Sequence, residues 1–513
     1  MDFSIVAVDK FIQATRDSGY KGTASAICEL IDNSLQAGAT SVKVCISVDD
    51  NEEPYPIILR VIDNGSGMDS RTLRTALRFG GSSRFNDRDG LGRYGMGLPN
   101  SSLSQAKRVT VHTWSSKRGQ VLFSYLDIEE IASRNLIEVP KPYRVKRPDF
   151  VNGYNSGTVV TWSQCDRLDN RRISTIARKL LVVLGQKFRY FLWNGVSITI
   201  NGDAVQPIDP LYLHPKALYN GATQFAEEIV YEISANYQDS SKTGLVRVRF
   251  SELPALEWSR LSNKEKQIRG VAKGAGVSIV RGSREVDYGW FFLGGKRREN
   301  YDDWWRCEVK FDPILDEAFG ITHTKQQIRP RAYLLEALCA DIEATARALN
   351  SRARKAHLNA KRADRFTTSE NRASEKDDLL EPLPQRPRPR DKKVLNSLGK
   401  CLTPKTATDR NHSNSTQYRI IATELSDTAF FNYARDEGQL VLVLNPDHPF
   451  YKFVYQPLLE SDIHSDEALR SYIDLLLLSA ARAEALIEDK NRLKDAKELR
   501  AGWSDTLATF LNG

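Results

Sequence analysis

The chain has little cysteine, only 6 in 513 residues. Cys28, Cys45, Cys165, Cys307, Cys339 and Cys401 are scattered, with no C-x-x-C pair. The sequence therefore offers neither a disulfide framework nor a structural zinc site, and these residues read as small buried apolar side chains in a reducing compartment. Long apolar runs are missing too. The stretch Leu475 to Ala481 falls far short of the roughly 20 residues that cross a bilayer. The N-terminus carries Asp2, Asp9 and Lys10 without a long apolar core, so no secretory signal is expected and the expected location is the cytoplasm, with no membrane partner.

What is present is an ordinary folded composition, 41% hydrophobic and 27% charged. The length exceeds what one hydrophobic core supports, so several domains are expected. A net charge of +8 favours polyanionic partners, nucleic acid foremost.

From Gly22 to Gly202 helical and strand patterns alternate. Ala26, Ile27, Leu30, Ile31 and Leu35 give a helix over Thr23 to Ala37, and Val42, Val44, Ile46 and Val48 alternate as a half-buried strand does. Further strands are expected at Pro56 to Ile62, Val109 to Trp114, Val121 to Tyr125 and Val159 to Trp162, and a helix over Arg172 to Leu192. Strands joined by short turns imply a mixed or antiparallel sheet with helices on one face. A second unit, from about Gln206 to Arg331, contains strand-like Leu245 to Phe250 and Val277 to Val280. An amphipathic helix over Tyr333 to Ala356 leads into a polar, proline-rich linker from about His357 to Gln417. Beyond it lie a strand at Gln439 to Asn445 and a long helix over Asp466 to Leu499.

Three clusters carry chemistry. Glu29 and Asn33 are four apart and share a helical face, so a carboxylate that can take a proton from water sits beside an amide that can offer oxygen to magnesium. Next, Ile62-Asp63-Asn64-Gly65-Ser66-Gly67-Met68 is an apolar strand ending in an aspartate and glycines. Such an aspartate can accept from the exocyclic amino group of adenine, where guanine would present a carbonyl, and the glycines let a ring approach. Third, Gly90, Gly92, Gly95 and Gly97, followed by Leu98, make a glycine-rich loop leading toward a helix, a nest for phosphate oxygens. The loop matches G-x-G-x-x-G, yet the polar Arg84 to Asp89 precedes it where a dinucleotide fold needs a buried strand. No Walker loop is present; Gly289 to Lys296 has the wrong spacing.

In order and spacing these clusters resemble the GHKL family, which groups the type II topoisomerase ATPase subunit, heat-shock chaperones, sensor histidine kinases, and MutL and MORC proteins. Its motifs fall on Glu29 and Asn33, on Asp63, Gly65 and Gly67, on the Gly90 to Gly97 lid, and on Gly157-Thr158, whose threonine in the family helps hold adenine. The string Phe319 to Gln327 is similar to the family loop that sends a lysine to the γ-phosphate, which makes Lys325 a candidate. The resemblance, nearest to prokaryotic MORC/MutL-like ATPases, implies an α+β chain. Residues 1–205 would form a Bergerat-type ATPase sandwich, 206–345 a βαβ transducer domain, 346–417 a helix and polar linker, and 418–513 a small mixed C-terminal domain.

The function so implied is slow ATP hydrolysis with magnesium, Glu29 and Lys325 being catalytic. Asn33, Asp63, Gly65, Gly67, Met68, Gly90, Gly92, Gly95, Gly97, Leu98 and Thr158 would bind nucleotide. ATP binding would join two N-terminal domains into a homodimer, with the segment before Gly22 reaching across to the second subunit. Double-stranded DNA and proteins of the same system would be partners, in antiviral defence, restriction or DNA maintenance. A chaperone-like remodelling ATPase is the alternative. A sensor kinase is disfavoured because no His precedes the first motif, and His448 and His464 form no nicking-enzyme metal cluster. The string Val443 to Tyr451 reads as a strand and turn with a packing role.

Overall fold

The computed structural model describes residues 8–17, 19–20, 22–49, 54–81, 96–116, 120–133, 135–151, 153–236, 239–259, 261–321, 327–384, 388–389, 391, 394–395, 417–425, 428–436, 439–461 and 464–512. The chain divides into two compact units, Met1–Ala353 and Arg354–Gly513, and both mix helices with sheet.

In the first unit, helices α1 (Val8–Asp17) and α2 (Thr23–Gln36) precede strands β1 (Ser41–Val48) and β2 (Ile57–Asp63). Helices α3 (Ser70–Leu77) and α4 (Gly97–Leu103) lead to β3 (Arg108–Trp114), β4 (Val121–Asp127), α5 (Ile128–Ala132), β5 (Tyr143–Val145) and β6 (Gly157–Ser163). Then come α6 (Ile173–Lys187), α7 (Arg189–Trp193), β7 (Ser197–Ile200) and β8 (Asp203–Ala204). The eight strands make one sheet, ordered β5-β4-β3-β6-β2-β1-β7-β8. Only β1 and β7 run parallel; the other neighbours are antiparallel.

Alternation decides which face is covered. Val42, Val44 and Ile46 of β1, Leu59 and Val61 of β2, and Val109 and Val111 of β3 bury into one core with Ile27, Leu30 and Ile31 of α2 and Ile176, Leu180 and Leu184 of α6. Truncating one of these, such as Leu59→Ala, costs about 2–5 kcal/mol. Helix α2 stops because Gly38 takes a left-handed φ of 75°, which lets the Ala37, Gly38 and Ala39 N–H groups turn back onto the carbonyls of Asn33, Leu35 and Ser34. The expected single helix from Arg172 to Leu192 is broken at Phe188, which is fully buried between α6 and α7.

The second sheet of this unit contains β9 (Thr223–Asn236), β10 (Asp239–Glu252), β11 (Val277–Arg281), β12 (Arg284–Gly289) and β13 (Trp305–Phe311), ordered β12-β11-β13-β10-β9. Helices α8 (Ala255–Trp258) and α9 (Asn263–Ile268) connect β10 to β11, and α10 (Asp316–Phe319) follows β13. Helix α11 (Ala332–Ser374) lays Leu334, Leu338, Ile342, Ala346 and Leu349 into this sheet's core. The sequence pattern ends the helix near Ala356, but it runs to Ser374, because Phe366 and Ser369 of its distal part are buried in the second unit.

That unit has a three-stranded sheet ordered β14-β16-β15, from β14 (Tyr418–Ala422), β15 (Phe431–Asp436) and β16 (Gln439–Leu444). Helices α12 (Gln456–Glu460), α13 (His464–Ala485) and α14 (Lys490–Leu511) follow. The long helix expected over Asp466 to Leu499 is two helices, restarted where Asp489 caps the N–H groups of Asn491 and Arg492. His448 is buried, its Nε2 against the Ser504 carbonyl at 3.1 Å and its Nδ1 accepting from Phe450 N–H.

Candidate nucleotide site

The site is set by strand register. Asp63, the last residue of β2, faces Thr158 at the start of β6, and Thr158 faces Thr113 on β3. One row across three adjacent strands thus ends in a carboxylate and two hydroxyls. Asp63 is 5% exposed. Its Oδ1 accepts from Gly65 N–H at 2.9 Å and Thr158 N–H at 3.2 Å, and its Oδ2 from Ser34 Oγ at 3.0 Å. Burial raises its pKa above the usual aspartate value, against the pull of those hydrogen bonds. A carboxylate has about four lone-pair sites, so this one retains capacity for a ligand donor.

Thr113 Oγ1 accepts from Met68 N–H at 2.9 Å, lies 3.2 Å from Thr158 Oγ1 and donates to the Gly157 carbonyl at 3.2 Å. It ties together the expected Met68 and Thr158. Glycine is required at Gly67, where φ is +70° and a Cβ would stand 2.2 Å from the Trp114 carbonyl oxygen. At Gly65 a Cβ would come within 2.8 Å of Ala37 Cβ.

Glu29 lies one turn before Asn33 on α2; it is 3% exposed, and Asn33 is half-buried. Gly97, the first residue of α4, approaches Glu29 so closely that a Cβ there would be 3.1 Å from Glu29 Oε2. Leu98 is buried in the core beside it. Asp32, also buried on α2, pairs with Arg284 of β12 at 3.2 Å. The phenol of Tyr20 is pushed up by burial and then by Glu29 and Asp32. Helix α1 rests on its own domain: Arg16 donates to the Leu103 carbonyl at 2.6 Å and pairs with Asp166 at 2.7 Å, and Ile12 is buried.

The structure therefore groups Asp63, Gly65, Met68 and Thr158 at the strand ends, with Gly67 between Gly65 and Met68, and sets Glu29, on the helix that also carries Asn33, against Gly97, which Leu98 follows. Gly90, Gly92, Gly95 and Lys325 lie outside the described residues. Ile328, shortly after Lys325, is anchored by its N–H to Asp287 at 3.1 Å. Ser34, Thr113 and Arg284 were missed from sequence. The first two are polar residues at buried positions of an otherwise apolar helix and strand, which was the available signal; nothing local marks Arg284. Among the described residues no group of three or more His, Cys, Asp or Glu could hold a metal ion. Asn33 offers the kind of hard oxygen ligand that magnesium accepts together with phosphate oxygens, so the donor set fits that ion.

Residues 20–158, which carry this strand-end site, match the family model described as histidine kinase-, DNA gyrase B- and HSP90-like ATPase. Over a longer stretch the chain is similar to the DNA mismatch repair protein MutL of Shewanella sediminis, 26% identical over 237 residues, which are 45% of this chain and 36% of that protein. It is similar also to Protein MICRORCHIDIA 7 of Arabidopsis thaliana, 27% identical over 159 residues, 29% of this chain and 22% of the relative. The matches thus span no more than 36% of these relatives' own lengths. A solved structure, "Crystal Structure of N terminal domain of a DNA repair protein", aligns with a TM-score of 0.42 at 14% identity, over 66% of this chain and 98% of that one. No described helix is long and apolar enough to cross a membrane.

Proposed function

We propose that this protein is an ATP-hydrolysing conformational switch of the MORC/MutL-like kind that acts on double-stranded DNA. The observation that carries the reading is the row of Asp63, Thr158 and Thr113 beside Gly65 and Gly67, with Glu29 buried against Gly97. Asp63 accepts the exocyclic amino group of adenine, and Thr158 stands beside it. Gly65, Gly67 and Met68 let the base approach. Asn33 holds magnesium, which when bound offsets the negative charge of the phosphates. Glu29 orients the attacking water and takes its proton. The lid residues Gly90, Gly92, Gly95, Gly97 and Leu98 enclose the phosphates, and Lys325 contributes positive charge at the γ-phosphate.

Turnover is slow in this reading, and ATP binding serves chiefly to join two N-terminal domains, so that binding energy becomes a population shift. The division into an ATPase domain over 1–205, a transducer over 206–345, a helix and linker over 346–417 and a C-terminal domain over 418–513 belongs to the same proposal. The net charge of +8 and the similarity to proteins named for mismatch repair support DNA as the partner, in a defence, restriction-associated or maintenance system.

The test is the ATPase rate of purified protein with and without double-stranded DNA, together with its mass in solution with a non-hydrolysable ATP analogue. DNA-stimulated turnover and nucleotide-dependent dimers are expected. Turnover indifferent to DNA, with a constant monomer, would favour a protein-remodelling ATPase instead. Glu29→Ala should keep ATP binding while hydrolysis falls by about 10²–10⁴-fold; an active variant would end the general-base assignment.

A further inference from the structure

Strand β12 is an edge strand of the second sheet, and two consecutive residues on it reach the ATPase domain with opposite charges. Arg284 pairs with Asp32 of α2 at 3.2 Å. Glu285 accepts from Arg189 of α7 and from Gln186 of α6, each at 2.7 Å. Consecutive side chains of a regular strand face opposite ways. Here the two pair with Arg281 and Val280 at the start of β12, and the register with β11 shifts just after them, passing over Val286. Arg189 continues the link, donating to Glu308 at 2.6 Å and Ser278 at 2.8 Å on the same sheet.

Arg284 is 2% exposed. It donates to both Asp32 oxygens and to the Glu285 carbonyl, and lies 5.0 Å from the Phe188 ring. Burial works against its charge, but Asp32, Cys28 and Glu29 hold it protonated beyond its ordinary range. Glu29 stands one turn before Asp32 on α2, so the ion pair lies on the stretch of helix that carries Glu29. Without it α2 would bury two carboxylates, Glu29 and Asp32, one turn apart on one face.

We propose that Arg284 is a positioning residue for hydrolysis: the second sheet lends it to α2, where it fixes Asp32 and balances the charge beside Glu29, so that turnover requires the second sheet docked on the ATPase domain. This rests on the assignment of Glu29 as the general base. Binding of the base depends on Asp63 and its row and does not pass through Arg284. The device thus affects turnover and leaves affinity alone.

The experiment uses the full chain and reads ATP turnover, affinity for a fluorescent ATP analogue, and thermal stability. Two variants are compared with wild type: Arg284→Lys, and the double variant Asp32→Asn with Arg284→Met. Lysine keeps a cation but cannot serve Asp32 and the Glu285 carbonyl with one rigid fork. It should leave affinity within about threefold while kcat falls about tenfold or more. The double variant removes both members of the Asp32–Arg284 pair together, so neither is left facing a missing partner. It should melt close to wild type and bind the analogue, yet remain at least about tenfold slow. Recovery of kcat together with stability in the double variant would reduce the pair to a structural tie and overturn the proposal, as would full kcat in Arg284→Lys. Should the double variant fail to fold, Arg284→Lys alone decides. Absence of turnover in wild type would instead overturn the hydrolytic function itself, and is seen before any variant is made.

Discussion

Asp63 in the first unit and Asp474 in the second are both deeply buried aspartates whose pKa burial raises. Their surroundings differ in kind. Asp474 accepts from Ser369 Oγ at 2.6 Å, from the Tyr455 hydroxyl, and from its own helix's Arg470 at 3.1 Å. Three side chains close around it, one of them cationic. Asp63 accepts from two backbone N–H groups and one small hydroxyl, beside glycines, and among the described residues no cationic side chain pairs with it. A buried carboxylate alone is therefore no evidence of a site. Asp474 is a structural member of a packed core, whereas Asp63 is held by backbone N–H groups and one serine at a strand end.

This contrast predicts separable failures. Asp474→Ala strands Arg470, Tyr455 and Ser369, and should cost about 3–5 kcal/mol in denaturant unfolding of the second unit, with nucleotide affinity unchanged. Loss of affinity in that variant would break the contrast. Asp63→Asn presents an amide where adenine brings a donor, and should weaken binding of an ATP analogue by about 1–3 kcal/mol, roughly 5–150-fold, while the melting temperature without nucleotide stays close to wild type. Gly67→Ala should lower affinity and stability together, by about 1–3 kcal/mol each, because its Cβ meets the Trp114 carbonyl.

A further effect concerns pH. Glu370 on α11 accepts from Ile420 N–H at 2.6 Å, yet burial pushes its pKa up from 4.5 to about 7. With the folded value above the unfolded one, its contribution is fully present below pH 4.5 and is lost as pH rises through about 7. The melting temperature of Glu370→Gln should gain on wild type across that window and run parallel to it above. Parallel curves throughout would show that Glu370 titrates normally. Asp63→Asn should show the same sign at lower pH in the nucleotide-free protein, because Asp63 is also raised.

The elements that carry the proposed nucleotide site were legible because they are local in sequence. Helical spacing puts Glu29 and Asn33 on one face and a strand end carries Asp63 with its glycines, while their proposed roles come from the family resemblance. Thr158 was reached only through family resemblance; a Gly-Thr at a strand start carries no physical signal until register sets it against Asp63. Thr113 and Ser34 were hidden because a single polar residue in an apolar element has many explanations. Arg284 could not be read at all, since its partner Asp32 is 252 residues away. The helix breaks at Phe188 and before Asp489 were missed for a related reason. Apolar periodicity continues across both, and only tertiary packing or a cap divides the run. The distal part of α11 is polar enough to read as a linker and is helical because Phe366 finds a core.

The row across β2, β6 and β3 also has a bearing on folding. A slip of one residue in the pairing of β2 with β6 would put Gly157 or Val159 opposite Asp63 and turn the side chains of a whole strand to the other face. The threonine hydroxyl and the N–H that Asp63 accepts would leave together. Under the proposed function, a nucleotide that needs both would recognise only the correctly registered sheet, and its binding would deepen the energy well of that pairing by mass action while leaving every shifted one as it was.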